Sequence, residues 1–242
     1  MRHGTCLFTN MHEWARTSLP YRAVLFDMDG VLTDNLHLHV AAWQDCLREH
    51  YGIELAADDR RVHAGLIHEI LERLLGRAPS AAEAHDFLEQ KEARYRDLAR
   101  GALVAVPGIH AYLGWLAARG VPAALVTGSD RVCTRFVLGE LGLVDRFPIT
   151  VTGEDVRRGK PAPEAYLLAA ARLGIAPADC LVHEDSEAGT AAGVAAGATV
   201  AALTTSAPAS ALVAAGASWV GPDFVAWLAA ADRAPADREA RG

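Results

Sequence analysis

The chain has 242 residues, 51% hydrophobic and 22% charged, the balance of an ordinary globular protein and not of a disordered one. Asp and Glu number 30 against 23 Lys and Arg, a formal net charge of −7. An acidic chain without a basic block is poorly suited to nucleic acid, so an anionic ligand must be met by local positive charge or by a metal.

Residues 1–20 lack the apolar core of a signal peptide and read as an extension outside the fold. The four cysteines (Cys6, Cys46, Cys133, Cys180) lie far apart with no C-x-x-C pair. That spacing excludes the usual zinc ribbon, and they read as reduced thiols of a cytoplasmic protein. The apolar run Ala23-Val24-Leu25-Phe26 breaks off at Asp27-Met28-Asp29-Gly30, a buried strand followed by a turn. Residues 36–99 are mostly helical in pattern, with Val40, Trp43 and Leu47, then Ile67, Ile70, Leu71 and Leu74, at helical spacing. Charged residues concentrate there, which predicts a separate helical module over 35–103.

From Pro107 helices and strands alternate. Helices are predicted over 109–119, 130–141 and 163–173, with Gly120 and Gly174 as stops and Pro163 as a first helical residue. Strands are predicted at 123–126, 148–152, 180–183, 198–203 and 218–220, with further helices between and after the last ones. Residues 188–222 carry no charge, but Pro208 interrupts them and Leu, Ile and Phe are scarce. Buried helix–strand–helix packing accounts for that stretch better than a membrane span. The expected fold is α/β: a Rossmann-like parallel sheet core from 21–34 and 104–242, with the helical cap inserted.

Ligands of open parallel sheets bind beyond the carboxyl ends of the strands. The polar clusters fall there: Asp27 and Asp29 after one strand, Thr127-Gly128-Ser129 after another, Glu184-Asp185 after a third. Lys160 lies just before a helix start. Converging carboxylates repel unless a cation joins them, and hard oxygen ligands suit Mg²⁺ better than zinc. Thr127 and the N–H groups of Gly128 and Ser129, read as opening a helix, form an anion site. Carboxylates, metal, N–H cradle and lysine describe phosphoryl transfer, with Asp27 as nucleophile and Asp29 as acid and base. Each cluster also has a plainer reading, since Asp favours turns and Thr, Ser and Asp cap helices.

Taken together, the motifs resemble those of the haloacid dehalogenase (HAD) superfamily over residues 22 to about 230. Asp27-Met28-Asp29-Gly30-Val31-Leu32-Thr33-Asp34 matches the first motif, Thr127-Gly128-Ser129 the second, Gly159-Lys160-Pro161 the third and Glu184-Asp185-Ser186 the fourth. The subfamily it resembles carries a helical cap and includes sugar-phosphate phosphatases, phosphoglycolate phosphatase and β-phosphoglucomutase. The resemblance implies that Asp27 is the nucleophile, and that Asp29 is the acid/base and lends its backbone carbonyl to Mg²⁺. It implies that Glu184 and Asp185 hold the metal with them, and that Thr127 and Lys160 bind phosphate. His39 takes the place of a frequent histidine at the cap entry. His68 takes the place of an arginine that grips a distal phosphate in β-phosphoglucomutase-like members, which favours a phosphatase over a mutase. Members of that family that cleave C–halogen or C–P bonds typically lack an Asp at the place of Asp29, so the resemblance implies a phosphatase or phosphomutase, whose poor alkoxide leaving group benefits from an acid.

His37 and His39 do not share a helix face, so they do not read as a zinc pair. His68, Arg60, Arg61 and Arg73 read as solvated cap surface or as substrate contacts. His183 stands where the fourth motif usually has an apolar residue, and reads as a partly buried strand residue. The expected activity is Mg²⁺-dependent hydrolysis of a small phosphomonoester, a sugar or polyol phosphate. The alternatives are a phosphomutase and a non-catalytic phospho-acceptor module. The expected partner is a small phosphorylated metabolite, not nucleic acid or membrane, with the chain a monomer or homodimer.

Overall fold

The computed structural model describes residues 21–62 and 64–233. The expected extension over 1–20, with Cys6, lies outside the described residues. Six parallel strands form one sheet in the order β3-β2-β1-β4-β5-β6. They are β1 (Ala23–Phe26), β2 (Ala123–Val126), β3 (Ile149–Val151), β4 (Cys180–Glu184), β5 (Thr199–Leu203) and β6 (Trp219–Gly221). The order reverses between β1 and β4, which pair Phe26 with His183. This reversal opens the crevice where such sheets bind ligands.

Strand alternation splits the core into two layers. Val24 and Phe26 face a layer rich in aromatic residues. That layer is covered by α4 (Ile109–Ala118), α5 (Arg131–Glu140) and α9 (Phe224–Arg233). Ala23 and Leu25 face a layer rich in alanine, covered by α6 (Glu164–Leu173) and α7 (Glu187–Ala195). Small side chains there let these helices lie close to the sheet. The uncharged stretch 188–222 supplies α7, β5, α8 (Ala209–Ala214) and β6, each burying apolar side chains. Among the described residues no helix is long and apolar enough to cross a membrane.

The cap is built from α1 (Leu36–Tyr51), α2 (Ile67–Leu75) and α3 (Ala81–Ala99). Its own core joins Trp43, Leu47, Ile70, Leu71 and Phe87. Ser80 and Glu83 form a reciprocal capping box at the start of α3, which fixes where that helix begins. Both connections to the core run through one point. Thr33 pairs with Ala105 in an isolated bridge, its Oγ1 donates to the Val104 carbonyl at 2.8 Å, and Val106 N–H donates to Leu32. The predicted elements stand with shifts of a residue or so. Pro163, predicted as the first helical residue, is instead the cap before α6, and β4 runs one residue further, to include Glu184.

Candidate active site

Alternation along β4 aims its last residues in opposite directions. Leu181 and His183 face the aromatic layer, whereas Glu184 turns toward α6, where the Tyr166 hydroxyl donates to its Oε1 at 2.5 Å. Asp27 follows β1 and is nearly buried. Lys160 enters from the loop before α6 and bridges the two acids. Its Nζ donates to Asp27 Oδ1 at 2.5 Å, to Glu184 Oε1 at 2.6 Å and to the Val126 carbonyl at 3.3 Å. Asp185 accepts from Ser206, which follows β5. Oxygens of Asp27, Glu184 and Asp185 all lie within 4.8 Å of one another. Two glycines keep this room open. A Cβ on Gly189 would fall on the Glu184 carboxylate, and one on Gly30 would fall on that of Asp185.

The electrostatics follow from crowding. Burial, with the neighbouring Glu184 and Asp29, outweighs Lys160 and raises the Asp27 carboxyl to about 7. Burial, with Glu184 and Asp27 as acidic neighbours, pushes Asp185 well above the ordinary carboxylate range. Burial alone would lower Lys160, but Asp27 and Glu184 reverse the effect and raise it. This buried acidic set, short of positive charge, is chemically suited to a hard divalent cation.

Asp29 belongs to a different network. Its Oδ1 lies 3.1 Å from His39 Nε2 and accepts from Asn35 Nδ2 at 2.6 Å, while Ser129 Oγ donates to Oδ2 at 3.3 Å. Burial would raise its pKa, but His39, Asn35 and Lys91 prevail and hold it at about 2. Asn35 occupies the N-cap position of α1 yet makes no side-chain cap there; its amide serves Asp29 and the Tyr95 hydroxyl instead. A helix cap is typically worth about 1 kcal/mol, forgone here for the site. His39 stacks on Tyr95, with ring centroids 3.8 Å apart, and its Nδ1 lies 2.9 Å from Lys91 Nζ.

These groups line a cavity of about 300 Å³ between core and cap. The structure thus brings together Asp27, Asp29, His39, Thr127, Gly128, Ser129, Lys160 and Asp185 around that cavity, with Glu184 buried behind it. It does not bring His68, which is exposed on α2 while Ile67 and Ile70 form the wall. The reading of Thr127-Gly128-Ser129 as a helix start also needs correction. Asp130 caps α5 by accepting from Cys133 N, and the three residues form the loop before it, with Ser129 N–H given to Thr127 Oγ1 at 3.1 Å.

His183 is fully buried, not partly so, with Nε2 3.1 Å from the Tyr112 hydroxyl among Phe26, Phe224 and Trp227. Burial lowers its pKa to about 3, which leaves it neutral and outside the acid cluster. The sequence reading passed over Asn35, Tyr95, Lys91, Tyr166 and Ser206. For Ser206 a signal existed, since it follows the end of β5 just as the recognised acids follow β1 and β4.

The model of haloacid dehalogenase-like hydrolases matches residues 21–197. The chain belongs to that family and is an enzyme of its hydrolase class. Hexitol phosphatase A of Escherichia coli (strain K12) is 36% identical to it over 178 residues, spanning 73% of this chain and 80% of the relative. Beta-phosphoglucomutase of Bacillus subtilis (strain 168) is 32% identical over 179 residues, spanning 71% and 78%. Among solved structures, a hydrolase from Pseudomonas syringae superposes with a TM-score of 0.76 at 27% identity, covering 86% of this chain and 96% of that one.

Proposed function

We propose that the protein is a Mg²⁺-dependent phosphatase of a small sugar or polyol phosphate, acting through an aspartyl-phosphate on Asp27. The observation that carries this reading is the division of labour between two acids. Asp27 sits in the metal-suited cluster against Lys160, and Asp29 sits beside the cap with its own donors. Relatives named as phosphatases, including the hexitol phosphatase, support the substrate class. The described cysteines are free and buried, in keeping with a reducing cytoplasm.

Asp27, Glu184 and Asp185, with the backbone carbonyl of Asp29, would hold Mg²⁺, which when bound offsets their negative charge and polarises the phosphoryl group. Lys160 and the Thr127–Ser129 loop orient the phosphate. The Asp27 carboxylate attacks phosphorus as the bond to the leaving oxygen breaks, and Asp29 protonates that oxygen. Entry of the anionic phosphoryl group raises the proton affinity of Asp29, since a like charge disfavours its ionised form. Asp29, ionised again, then takes a proton from the water that attacks phosphorus, releasing phosphate and restoring Asp27. The cap excludes bulk water in the first step and admits it in the second.

The test is phosphate release from a panel of small phosphomonoesters with and without Mg²⁺, with Asp27→Asn as the blank. Metal-dependent release that vanishes in the variant supports the reading. Full activity in Asp27→Asn overturns it, and isomerisation outrunning release would mark a mutase instead.

A further inference from the structure

The buried face of α6 is made of Ala165, Tyr166, Ala169 and Ala170. Tyr166 is the one large side chain among them, and it is fully buried. The alanines let the helix lie close to the sheet, which brings the tyrosine under the candidate site. It meets two members of that site with two different parts of its side chain. Its hydroxyl donates to Glu184 Oε1 at 2.5 Å. Its ring lies beneath the Lys160 ammonium, with Nζ 5.1 Å from the centroid, within reach of a cation–π contact.

Glu184 depends on such partners because water cannot hold it. Its side chain is fully buried and, unlike Asp27 and Asp185, it does not line the cavity. Four donors meet its carboxylate. Tyr166 and Lys160 reach Oε1, while Asp185 N–H and the Ser186 hydroxyl reach Oε2, both at 3.1 Å. Two of the four follow Glu184 directly in the chain and turn with it. Lys160 also serves Asp27, and in the proposed reaction it meets the phosphate as well. Among these four donors, only Tyr166 stands on a separate rigid element and has no second acid to serve.

We infer that Tyr166 is a positioning residue for the proposed Mg²⁺ site, its hydroxyl holding Glu184 toward Asp27 and Asp185 while its ring seats Lys160. The inference rests on the metal-dependent reading above and deepens it, by naming the side chain behind the acids that keeps them in register. A hydrogen-bond donor behind a ligating carboxylate fixes its orientation, and loss of such a donor typically costs about 10- to 100-fold in metal affinity or activity. The hydroxyl and the ring have separate tasks, so they can be removed separately.

The test compares wild type with Tyr166→Phe, which loses the hydroxyl and keeps the ring, and Tyr166→Leu, which loses both. Ala170→Gly is the control, since it weakens α6 without touching the site. Mg²⁺ binding is measured by calorimetry without substrate, and phosphate release at saturating Mg²⁺. Tyr166→Phe should bind Mg²⁺ about 10-fold more weakly and regain most of its kcat/KM once Mg²⁺ saturates. Tyr166→Leu should keep a further deficit of about 10-fold in kcat/KM at saturation, because Lys160 has lost its seat. Ala170→Gly should lower the melting temperature and leave Mg²⁺ affinity alone. If Tyr166→Leu does not fold, Tyr166→Phe against the control still decides the matter. Unaltered Mg²⁺ affinity in Tyr166→Phe, or an equal loss in Ala170→Gly, would overturn the inference and reduce Tyr166 to packing. Wild type that binds no Mg²⁺ overturns the metal-dependent reading and the inference with it. Intact Mg²⁺ binding without Asp27-dependent phosphate release overturns the phosphatase reading alone, and calorimetry still decides the role of Tyr166.

Discussion

The carboxylate of Glu69 accepts from two backbone amides in different parts of the fold: Leu66 N at 2.6 Å in the cap and Gly159 N at 3.2 Å in the core. Gly159 directly precedes Lys160, so one cap side chain restrains the loop that delivers the lysine of the candidate site. Gly159 also lies so close to Gly65 and Leu66 that a Cβ there would strike their backbone. Replacement of Glu69 by Ala should remove about 1 kcal/mol of helix-start stability. It should also lower kcat/KM about 5- to 10-fold, the equivalent of about 1 kcal/mol in transition-state positioning. Thermal melts and steady-state kinetics on the same samples check this. A lowered melting temperature with unaltered kinetics would reduce Glu69 to a helix cap.

Metal binding should be linked to proton release. Asp27 is raised to about 7 and Asp185 is raised as well, and a cation competes with protons for both. Mg²⁺ affinity should therefore rise as pH increases from about 6 to about 8, as Asp27 ionises. Calorimetry in two buffers of different ionisation enthalpy measures the protons released. At about 100 times its dissociation constant, Mg²⁺ should add about 2.7 kcal/mol to stability. Asp185→Asn should lose most of that gain, and pH-independent binding would contradict the assignment.

If Asp29 protonates the leaving group, its loss should matter most where that group is poor. For alkyl phosphates, Asp29→Asn should lose about 100- to 10,000-fold in kcat. With acetyl phosphate, whose leaving group needs no acid, phosphoryl transfer to Asp27 should persist while hydrolysis of the intermediate slows. Intact-protein mass spectrometry should then show one added phosphoryl group. Equal losses on both substrate types, with no phosphoenzyme, would remove Asp29 from the proton-transfer role.

His183 makes a prediction about acid stability. Its pKa is about 3 when folded and near 6.5 when the chain is unfolded, so between these values only the unfolded chain holds the extra proton. Its contribution to stability is complete above about pH 6.5 and is lost as pH falls toward 3, at up to about 1.4 kcal/mol per pH unit. Denaturant melts in the presence of a chelator should show His183→Leu losing stability more slowly over this range than wild type. Parallel slopes would assign the acid sensitivity to other groups.

Much of this site was legible because its acids stand at strand ends, where the polar residue breaks an apolar run. Asp27 and Glu184-Asp185 announce themselves that way, and Lys160 by its motif. The fold was equally plain, since β1, β2 and β4 are short apolar runs between helices of clear period. The cap was harder. Lys91 and Glu92 look like any charged pair on a helix surface, and only the packing of α3 against α1 buries them. His68 shows the opposite difficulty. Its place in the motif pointed inward, but the helical turn presents Ile67 and Ile70 to the cavity and leaves it in solvent. Asn35 stands at a helix start, where sequence suggests a cap and the tertiary structure has given the side chain another partner.

The narrow neck at Thr33 has a consequence for how such a protein can change over evolutionary time. Because the chain leaves the core and returns to it through paired segments at Thr33 and Val104–Ala105, the sheet registers only that the two ends meet. A helical insert of another length or composition could be exchanged there without altering a strand, provided it resupplied the contact that Glu69 makes with the loop before Lys160. The strand-end acids and the helical insert are thus carried by separable pieces of one gene, joined at the Thr33 neck.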